Sequence, residues 1–205
     1  MKKRKRALYR NSRGTRFVAP DRRGITLVEL MITISIFGVI LGVVFAFMAQ
    51  TSRSYSDSRE RVQYQQSLRA TLSLMTREIR SAGCDPDDVG FDKFLVADVS
   101  QLRCQMDLNG DKDTSDFTPD ENITYTYNAA LGEISRDDGT GAQVILRGLN
   151  SATFTYFDDQ SAVLGSIPLN ATDRAEIAFV EIDLDGETDS GEPVQYQTRV
   201  HIRNF

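Results

Sequence analysis

The pattern of hydrophobic and polar positions divides the chain into an apolar stretch, an amphipathic stretch and a strand-rich remainder. No charged residue occurs in the twenty positions from Leu30 to Ala49. A helix of about twenty residues spans about 30 Å, the thickness of the hydrocarbon core of a bilayer. A buried helix of a soluble protein is the alternative. We predict a membrane-spanning helix, because the basic cluster flanks the apolar run on one side only.

Beyond Ala49 the chain becomes polar but keeps helical spacing. Its apolar residues form one stripe, which comprises Val62, Leu68, Leu72, Met75, Ile79 and Ala82. No proline interrupts residues 25–85, and Gly83 is a natural helix stop. The pattern predicts one helix of about 55–58 residues, whose second half packs on a globular head. A short coiled coil is the weaker alternative, since the repeat lasts only about three heptads.

The remainder of the chain has the alternation and the β-branched and aromatic content of short strands. The predicted strands are Leu95–Val99, Leu102–Met106, Asn122–Asn128, Glu133–Arg136, Gln143–Arg147, Ala152–Phe157, Ile177–Leu184 and Gln195–Arg203. Residues 137–141 predict a hairpin turn. Short turns and no second helical period favour antiparallel pairing. A long N-terminal helix packed on an antiparallel β-sheet head is an α+β fold.

Charge is distributed unevenly along the 205 residues, although the net charge is only −5. Residues 1–24 hold ten of the 24 Lys and Arg but only one, Asp21, of the 29 Asp and Glu. Residues 25–205 therefore keep 14 basic and 28 acidic residues, a net charge of −14. Basic flanks stay in the cytoplasm. We therefore expect a cytoplasmic leader and an acidic body on the other side of the membrane.

Glu29 interrupts the apolar character that begins at Ile25. A carboxylate costs roughly 2.5–3.5 kcal/mol at mid-bilayer, and less near the interface, so such a group usually has a partner. Cleavage after Gly24 would supply one, because the new amine of Ile25 is a cation. An ordinary secretory signal with a weak cleavage site at residues 44–46, or an uncleaved signal anchor, are the alternatives.

The segment Gly24-Ile-Thr-Leu-Val-Glu29 resembles the type III signal of type IV prepilins and pseudopilins. The resemblance implies that a membrane aspartyl peptidase, the prepilin peptidase, cuts between Gly24 and Ile25. It also implies methylation of the Ile25 amine and an assembly role for Glu29. Ile25 departs from the phenylalanine that is commonest there. The helix end, the acidic segment 107–116 and residues 200–204 more loosely resemble PilW-type minor pilins.

This resemblance implies a minor pilin that helps to initiate or assemble a type IV pilus. Residues 1–24 would be a removed leader, 25–50 a membrane or fibre-core half-helix, 51–83 an amphipathic half-helix and 84–205 the head. Expected partners are the prepilin peptidase, other major and minor pilins and an inner-membrane assembly platform. The head would lie in the periplasm of a Gram-negative-type bacterium before the chain enters a pilus or pseudopilus. The alternatives are a J-like pseudopilin of type II secretion and a single-pass anchored calcium-binding or adhesive domain.

Gly38 and Gly42 form a small-xxx-small pair within the apolar run. Such pairs allow helix backbones to approach closely in lipid, so both glycines are candidates for helix packing. Local loosening of the helix at these glycines is an equal alternative.

An acidic segment between two predicted strands has oxygen-bearing side chains at positions one, three, five, seven and ten. These residues are Asp107, Asn109, Asp111, Asp113 and Asp116. This spacing suits calcium and resembles the first half of an EF-hand loop. Glycine is at position four rather than six, and Thr118 replaces the glutamate of position twelve. Asp116, Asp120 or Glu121 could replace that ligand. A solvated acidic turn is the alternative to a calcium site.

Cys84 and Cys104 are the only cysteines. The expected oxidising compartment favours a disulfide between them, which would close a loop of about twenty residues and contribute roughly 3 kcal/mol. Two free buried thiols are the alternative.

The sequence favours a structural protein over an enzyme. It has no phosphate loop, nucleophile elbow or histidine-bearing metal motif, and the single histidine, His201, alternates with apolar residues in a terminal strand. The pairs at 137–138 and 158–159 are typical of turns. Direct nucleic-acid binding is not expected, because the acidic body has no basic stripe. Calcium is the one cofactor that the sequence suggests.

Overall fold

The computed structural model describes residues 24–165, 167–188 and 191–203. The predicted leader, apart from Gly24, lies outside the described residues, as does Asn204 of the C-terminal resemblance. The described part of the chain divides into two compact units, one before and one after the boundary between residues 50 and 51. Helix α1 (Leu27–Arg80) contains 54 residues and contributes to both units.

In the first unit, the described residues form an apolar stretch of α1. Thr26 caps the helix, since its Oγ1 accepts a hydrogen bond from the Glu29 amide at 3.2 Å. The side chains of residues 24–50 are exposed, and the helix is long and apolar enough to cross a membrane. Within it, the Thr33 hydroxyl donates to the Glu29 carbonyl and the Ser35 hydroxyl to the Met31 carbonyl. These hydroxyl groups therefore have partners in their own helix.

In the second unit, α1 buries the predicted apolar stripe from Leu68 onwards. The buried stripe residues are Leu68, Leu72, Met75, Ile79 and Ala82. Val62 was predicted to belong to the stripe but is 51% exposed. At about 100° per residue, six residues separate Val62 from Leu68 by about 120° around the helix. Tyr64 is on the stripe instead, and its hydroxyl donates to the Gly148 carbonyl at 2.6 Å.

The helix ends close to the predicted glycine. Gly83 adopts φ 73°, a left-handed conformation that favours glycine. Its amide donates to the Gln105 carbonyl at 2.8 Å. The helix terminus is therefore attached to the sheet by a backbone hydrogen bond.

Eight antiparallel strands follow the helix in two sheets rather than one. The first sheet has the order β1-β2-β3-β4-β5 and the second β6-β7-β8. The strands are β1 (Phe94–Ala97), β2 (Gln101–Gln105), β3 (Asn122–Asn128), β4 (Glu133–Asp137), β5 (Gln143–Leu146), β6 (Leu149–Phe157), β7 (Phe179–Glu187) and β8 (Pro193–His201). These elements confirm the predicted α+β layout of a long helix followed by antiparallel strands.

Two features of the head differ from the prediction. The sequence predicts a single sheet, yet the consecutive strands β5 and β6 belong to different sheets. The chain turns there at Gly148, whose φ is 77°. A short helix, α2 (Ala171–Ala175), lies between β6 and β7. It was not predicted because five residues are too few to show a helical period, although its cap residue Asn170 accepts a hydrogen bond from the Asp173 amide.

One hydrophobic core joins α1 of the second unit to both sheets. The first sheet contributes Phe94, Leu102, Ile123, Tyr125 and Ile134, and the second contributes Phe154, Tyr156, Val180, Ile182 and Val200. Buried apolar side chains of this size stabilise a fold by about 1.5–3 kcal/mol each. The core thus fixes β2 and β3 and, with them, the connection that contains the acidic segment.

Candidate functional site

The predicted cleavage point lies just before α1. Gly24 and Ile25 are exposed and precede the first helical residue, Leu27. Ile25 is 75% exposed. The Gly24–Ile25 peptide bond is thus in exposed backbone outside the helix, where a peptidase can reach it.

Glu29 lies in the first turn of α1 and is exposed. The amides of a first turn carry partial positive charge, so a carboxylate is stabilised there. The sequence suggested the Ile25 amine as the partner of Glu29. The structure adds the helix terminus as a second favourable neighbour, and the Thr26-x-x-Glu29 spacing is the signal that could have identified it.

Gly38 and Gly42 lie one turn apart on α1, and each has open space where a Cβ would be. Both positions are helical, so the structure shows no loosening of the helix at either glycine. Their proposed role in packing against another helix stays a prediction.

The acidic segment forms the β2–β3 connection, and its carboxylates converge in two groups. Carboxylate oxygens of Asp107, Asp111 and Glu121 lie within 4.8 Å of one another, and so do those of Asp111, Asp113 and Asp116. The side-chain nitrogen of Asn109, Nδ2, lies 3.0 Å from Asp111 Oδ2 and 2.6 Å from Asp116 Oδ2. The structure therefore brings together all five predicted ligand residues and adds Glu121.

Asp113 and Asp116 have different environments although both are at the exposed edge of the segment. Hydrogen bonds from the Ser115 amide and hydroxyl lower the pKa of Asp113. Partial desolvation, together with the charges of Asp111 and Asp113, raises the pKa of Asp116. Asp113 therefore has hydrogen-bond donors of its own, whereas Asp116 lies beside two like charges.

Asp120 belongs to a different network, centred on Arg136 of β4. The Arg136 guanidinium lies 2.5 Å from Asp120, 3.1 Å from Glu78 of α1 and 3.1 Å from Asp138. The Tyr125 hydroxyl also donates to Glu78. Burial disfavours the Arg136 charge, but its hydrogen bonds with Glu78 and Asp120 outweigh this effect and raise its pKa. The sequence alone did not reveal this network, because its members are far apart along the chain.

In the structure Cys84 and Cys104 are both free thiols, and the disulfide between them stays a prediction. Cys104 faces the core from β2, and its thiol donates to the Ile123 carbonyl at 3.7 Å. Cys84 is partly buried just after the helix terminus. The alternation of β2 directs the Cys104 sulfur into the core, and Cys84 packs against the same core.

The other candidate polar residues have structural positions. His201 is near the end of β8 with its ring 4.7 Å from that of Phe179. Asp137 Oδ1 accepts hydrogen bonds from the Gly139 and Gly141 amides. Asp158 plays a similar part in the turn after β6. The aspartate pairs are therefore part of turns, as predicted.

Comparison with known proteins identifies one family model. Residues 20–45 match the prokaryotic N-terminal methylation motif. No curated protein matches the chain. The match includes the predicted cleavage point, Glu29 and both helix glycines, and most of the apolar run. The chain thus carries a type IV prepilin or pseudopilin signal. Such a signal implies processing by prepilin peptidase and assembly with pilins, and the apolar helix fits a membrane anchor.

Proposed function

We propose that this chain is a minor pilin that takes part in the initiation or assembly of a type IV pilus. The observation that carries the proposal is the methylation motif at residues 20–45, placed between a basic segment and an exposed apolar helix. The PilW-like features of the head support the minor-pilin assignment. The pseudopilin of a type II secretion system is the second candidate, because the same motif serves both systems.

The proposed mechanism is structural. The basic leader holds residues 1–24 on the cytoplasmic side, and cleavage at the exposed Gly24–Ile25 bond removes it. The new Ile25 amine is a cation next to a helix whose first turn contains Glu29. In an assembly of parallel helices, the Glu29 carboxylate of one subunit binds the amine of an incoming subunit, which fixes their axial register.

The exposed apolar side chains of residues 25–50 are suited to both environments that this mechanism requires. In the membrane they contact lipid, and in a fibre they contact equivalent helices. Gly38 and Gly42 leave open space on the helix surface, which allows a neighbouring backbone to approach.

Co-expression of the full chain with a prepilin peptidase tests the processing step. Intact-mass spectrometry should show the loss of residues 1–24 and the gain of one methyl group at Ile25. Gly24→Ala should retain the precursor mass. An unchanged mass of the unsubstituted chain in the presence of active peptidase would refute the proposal.

A second pair of variants tests the register role of Glu29. Glu29→Ala should be cleaved like the parent chain but should not be recovered in sheared surface filaments. Asp57→Ala removes an exposed carboxylate from the same helix outside the matched motif, and it should be recovered normally. Loss of protein export rather than of surface filaments on gene deletion would favour the type II secretion candidate.

A further inference from the structure

One buried acid in the β2–β3 connection has an unsatisfied oxygen. Glu121 is 0% exposed, and its Oε2 has no hydrogen-bond partner among the described residues. The other oxygen, Oε1, accepts hydrogen bonds from the Leu108 amide at 2.8 Å and the Asn109 amide at 3.2 Å. The carboxylate is therefore held in one orientation, with the unpartnered oxygen on the opposite side of the group.

The Glu121 carboxylate belongs to a cluster of like charges. Asp107 is also 0% exposed, and carboxylate oxygens of Asp107, Asp111 and Glu121 lie within 4.8 Å of one another. Asp107 uses its oxygens to accept hydrogen bonds from the Gly110 and Lys112 amides. An unpaired charge in a buried site is strongly destabilising, so three converging carboxylates with one orphan oxygen favour a bound cation.

Protein groups do not supply this cation. Residues 107–121 contain six carboxylates and a single base, Lys112, and no salt bridge of Lys112 is found within the described residues. The nearest arginine network uses Asp120 instead, because Arg136 Nη2 lies 2.5 Å from its carboxylate. Asp120 thus belongs to the Arg136 network, whereas its neighbour Glu121 belongs to the carboxylate cluster with Asp107 and Asp111.

We propose that the β2–β3 connection binds a calcium ion through Asp107, Asp111 and the buried Glu121. The donors are all oxygens, which suits a hard cation rather than zinc or copper. Calcium accepts six to eight oxygen ligands in variable geometry, whereas magnesium demands a near-ideal octahedron. Asp113 and Asp116 form a second group with Asp111 and provide further oxygens. Glu121 takes the place of the glutamate that the EF-hand-like spacing lacks at position twelve.

The bound ion would connect the two ends of the segment to the helix terminus. Asp107 follows β2, and its amide donates to the Cys84 carbonyl at 2.7 Å. Glu121 immediately precedes β3, and its carbonyl accepts from the Met106 amide at 2.9 Å. Calcium would thus fix the segment against the end of α1. The site stands whether or not the chain enters a filament.

Calcium titration of the full chain in detergent micelles, after chelator treatment, tests this site. Calorimetry should detect binding below about 1 mM calcium chloride, the weaker end of the range for natural calcium loops. Calcium should also raise the unfolding temperature, because it binds only the folded state. Absence of heat and of any rise in unfolding temperature would overturn the proposal, and so would an equal response to magnesium chloride.

Glu121→Gln is the decisive variant, because glutamine retains Oε1 and replaces the orphan oxygen with a donor. Without calcium, this variant should unfold at the same temperature as the parent or a higher one, since the buried repulsion is removed. Its calcium affinity should fall at least about tenfold, because affinity follows the charge of the ligands. Asp159→Asn removes one exposed carboxylate outside the segment and should bind like the parent. Equal affinity of Glu121→Gln and the parent would overturn the assignment of Glu121.

Discussion

Thr26 and Glu29 show how two residues of a sequence motif acquire a physical role. Thr26 caps α1 by accepting from the Glu29 amide, and Glu29 places its carboxylate in the first turn. The cap stabilises the helix start by about 1 kcal/mol. The motif thus defines where the helix begins, and therefore which bond lies outside it.

The two cysteines should differ strongly in reactivity. Burial, with a further contribution from the Glu78 charge, raises the pKa of the Cys104 thiol to about 12, whereas Cys84 is partly accessible. Because the thiolate is the nucleophile, iodoacetamide at neutral pH should modify Cys84 in the folded protein and leave Cys104 intact. Peptide mass spectrometry measures both sites.

Cys84→Ser should then abolish labelling of the folded protein, and urea should expose Cys104 to the reagent. Equal labelling of both residues without denaturant would contradict the core position of Cys104. If neither residue reacts before reduction, the disulfide predicted from the sequence exists in the isolated protein.

At the scale of elements, the Arg136 network holds α1 against the first sheet. Its side chain is 14% exposed and that of Glu78 is 11% exposed, so water screens the pair weakly. Arg136→Met would leave Glu78 with only the Tyr125 hydroxyl, and we expect a loss of about 3–5 kcal/mol in the free energy of unfolding. Glu78→Gln should cost less, because Arg136 retains Asp120 and Asp138.

Urea denaturation of the two single variants and the double variant measures this coupling. The double variant should lose less than the sum of the two single losses. Arg147→Met is the control, because Arg147 pairs with Glu133 at a position where its side chain is 72% exposed; it should lose only about 0–1 kcal/mol. Equal losses for Arg136→Met and Arg147→Met would contradict the proposed role of the network.

The elements that could be predicted are those with a long or regular pattern. The apolar run, the stripe from Leu68 and the alternation of β3 each repeat often enough to determine the element. The division into two sheets could not be predicted, because a short connection through Gly148 is typical of a hairpin too. Glu121 was one of three candidates for the missing ligand, and only the fold shows that Asp120 is bound to Arg136 instead.

At the scale of the whole molecule, the second unit should be sensitive to alkali. Burial raises the pKa of Tyr156, with the Asp98 charge as a further cause, and it raises that of Tyr125, next to Glu78. In the unfolded chain these phenols ionise near pH 10. Because the folded pKa values are higher, the contribution to stability is complete below about pH 10 and is lost progressively above it.

Tyrosinate absorbance and circular dichroism across this pH range test the prediction. Part of the seven tyrosines should ionise only as the fold is lost. Tyr156→Phe removes the hydrogen bond to the Asp98 carbonyl and should cost about 1 kcal/mol at neutral pH. It should also reduce the further loss of stability above pH 10. If Tyr156→Phe lost as much stability above pH 10 as the parent does, this would argue against a raised pKa for Tyr156.

The hydroxyl groups of Thr33 and Ser35 affect the transfer of the apolar stretch of α1 from lipid to the interior of a helical bundle. Each hydroxyl donates to a carbonyl one turn earlier, so neither needs a hydrogen-bond acceptor from its surroundings. Moving such a helix from lipid to the interior of a helical bundle exchanges one set of dispersion contacts for another and breaks no hydrogen bond. The transfer of this stretch should be nearly isoenergetic, so the direction of transfer depends on the charges at its start.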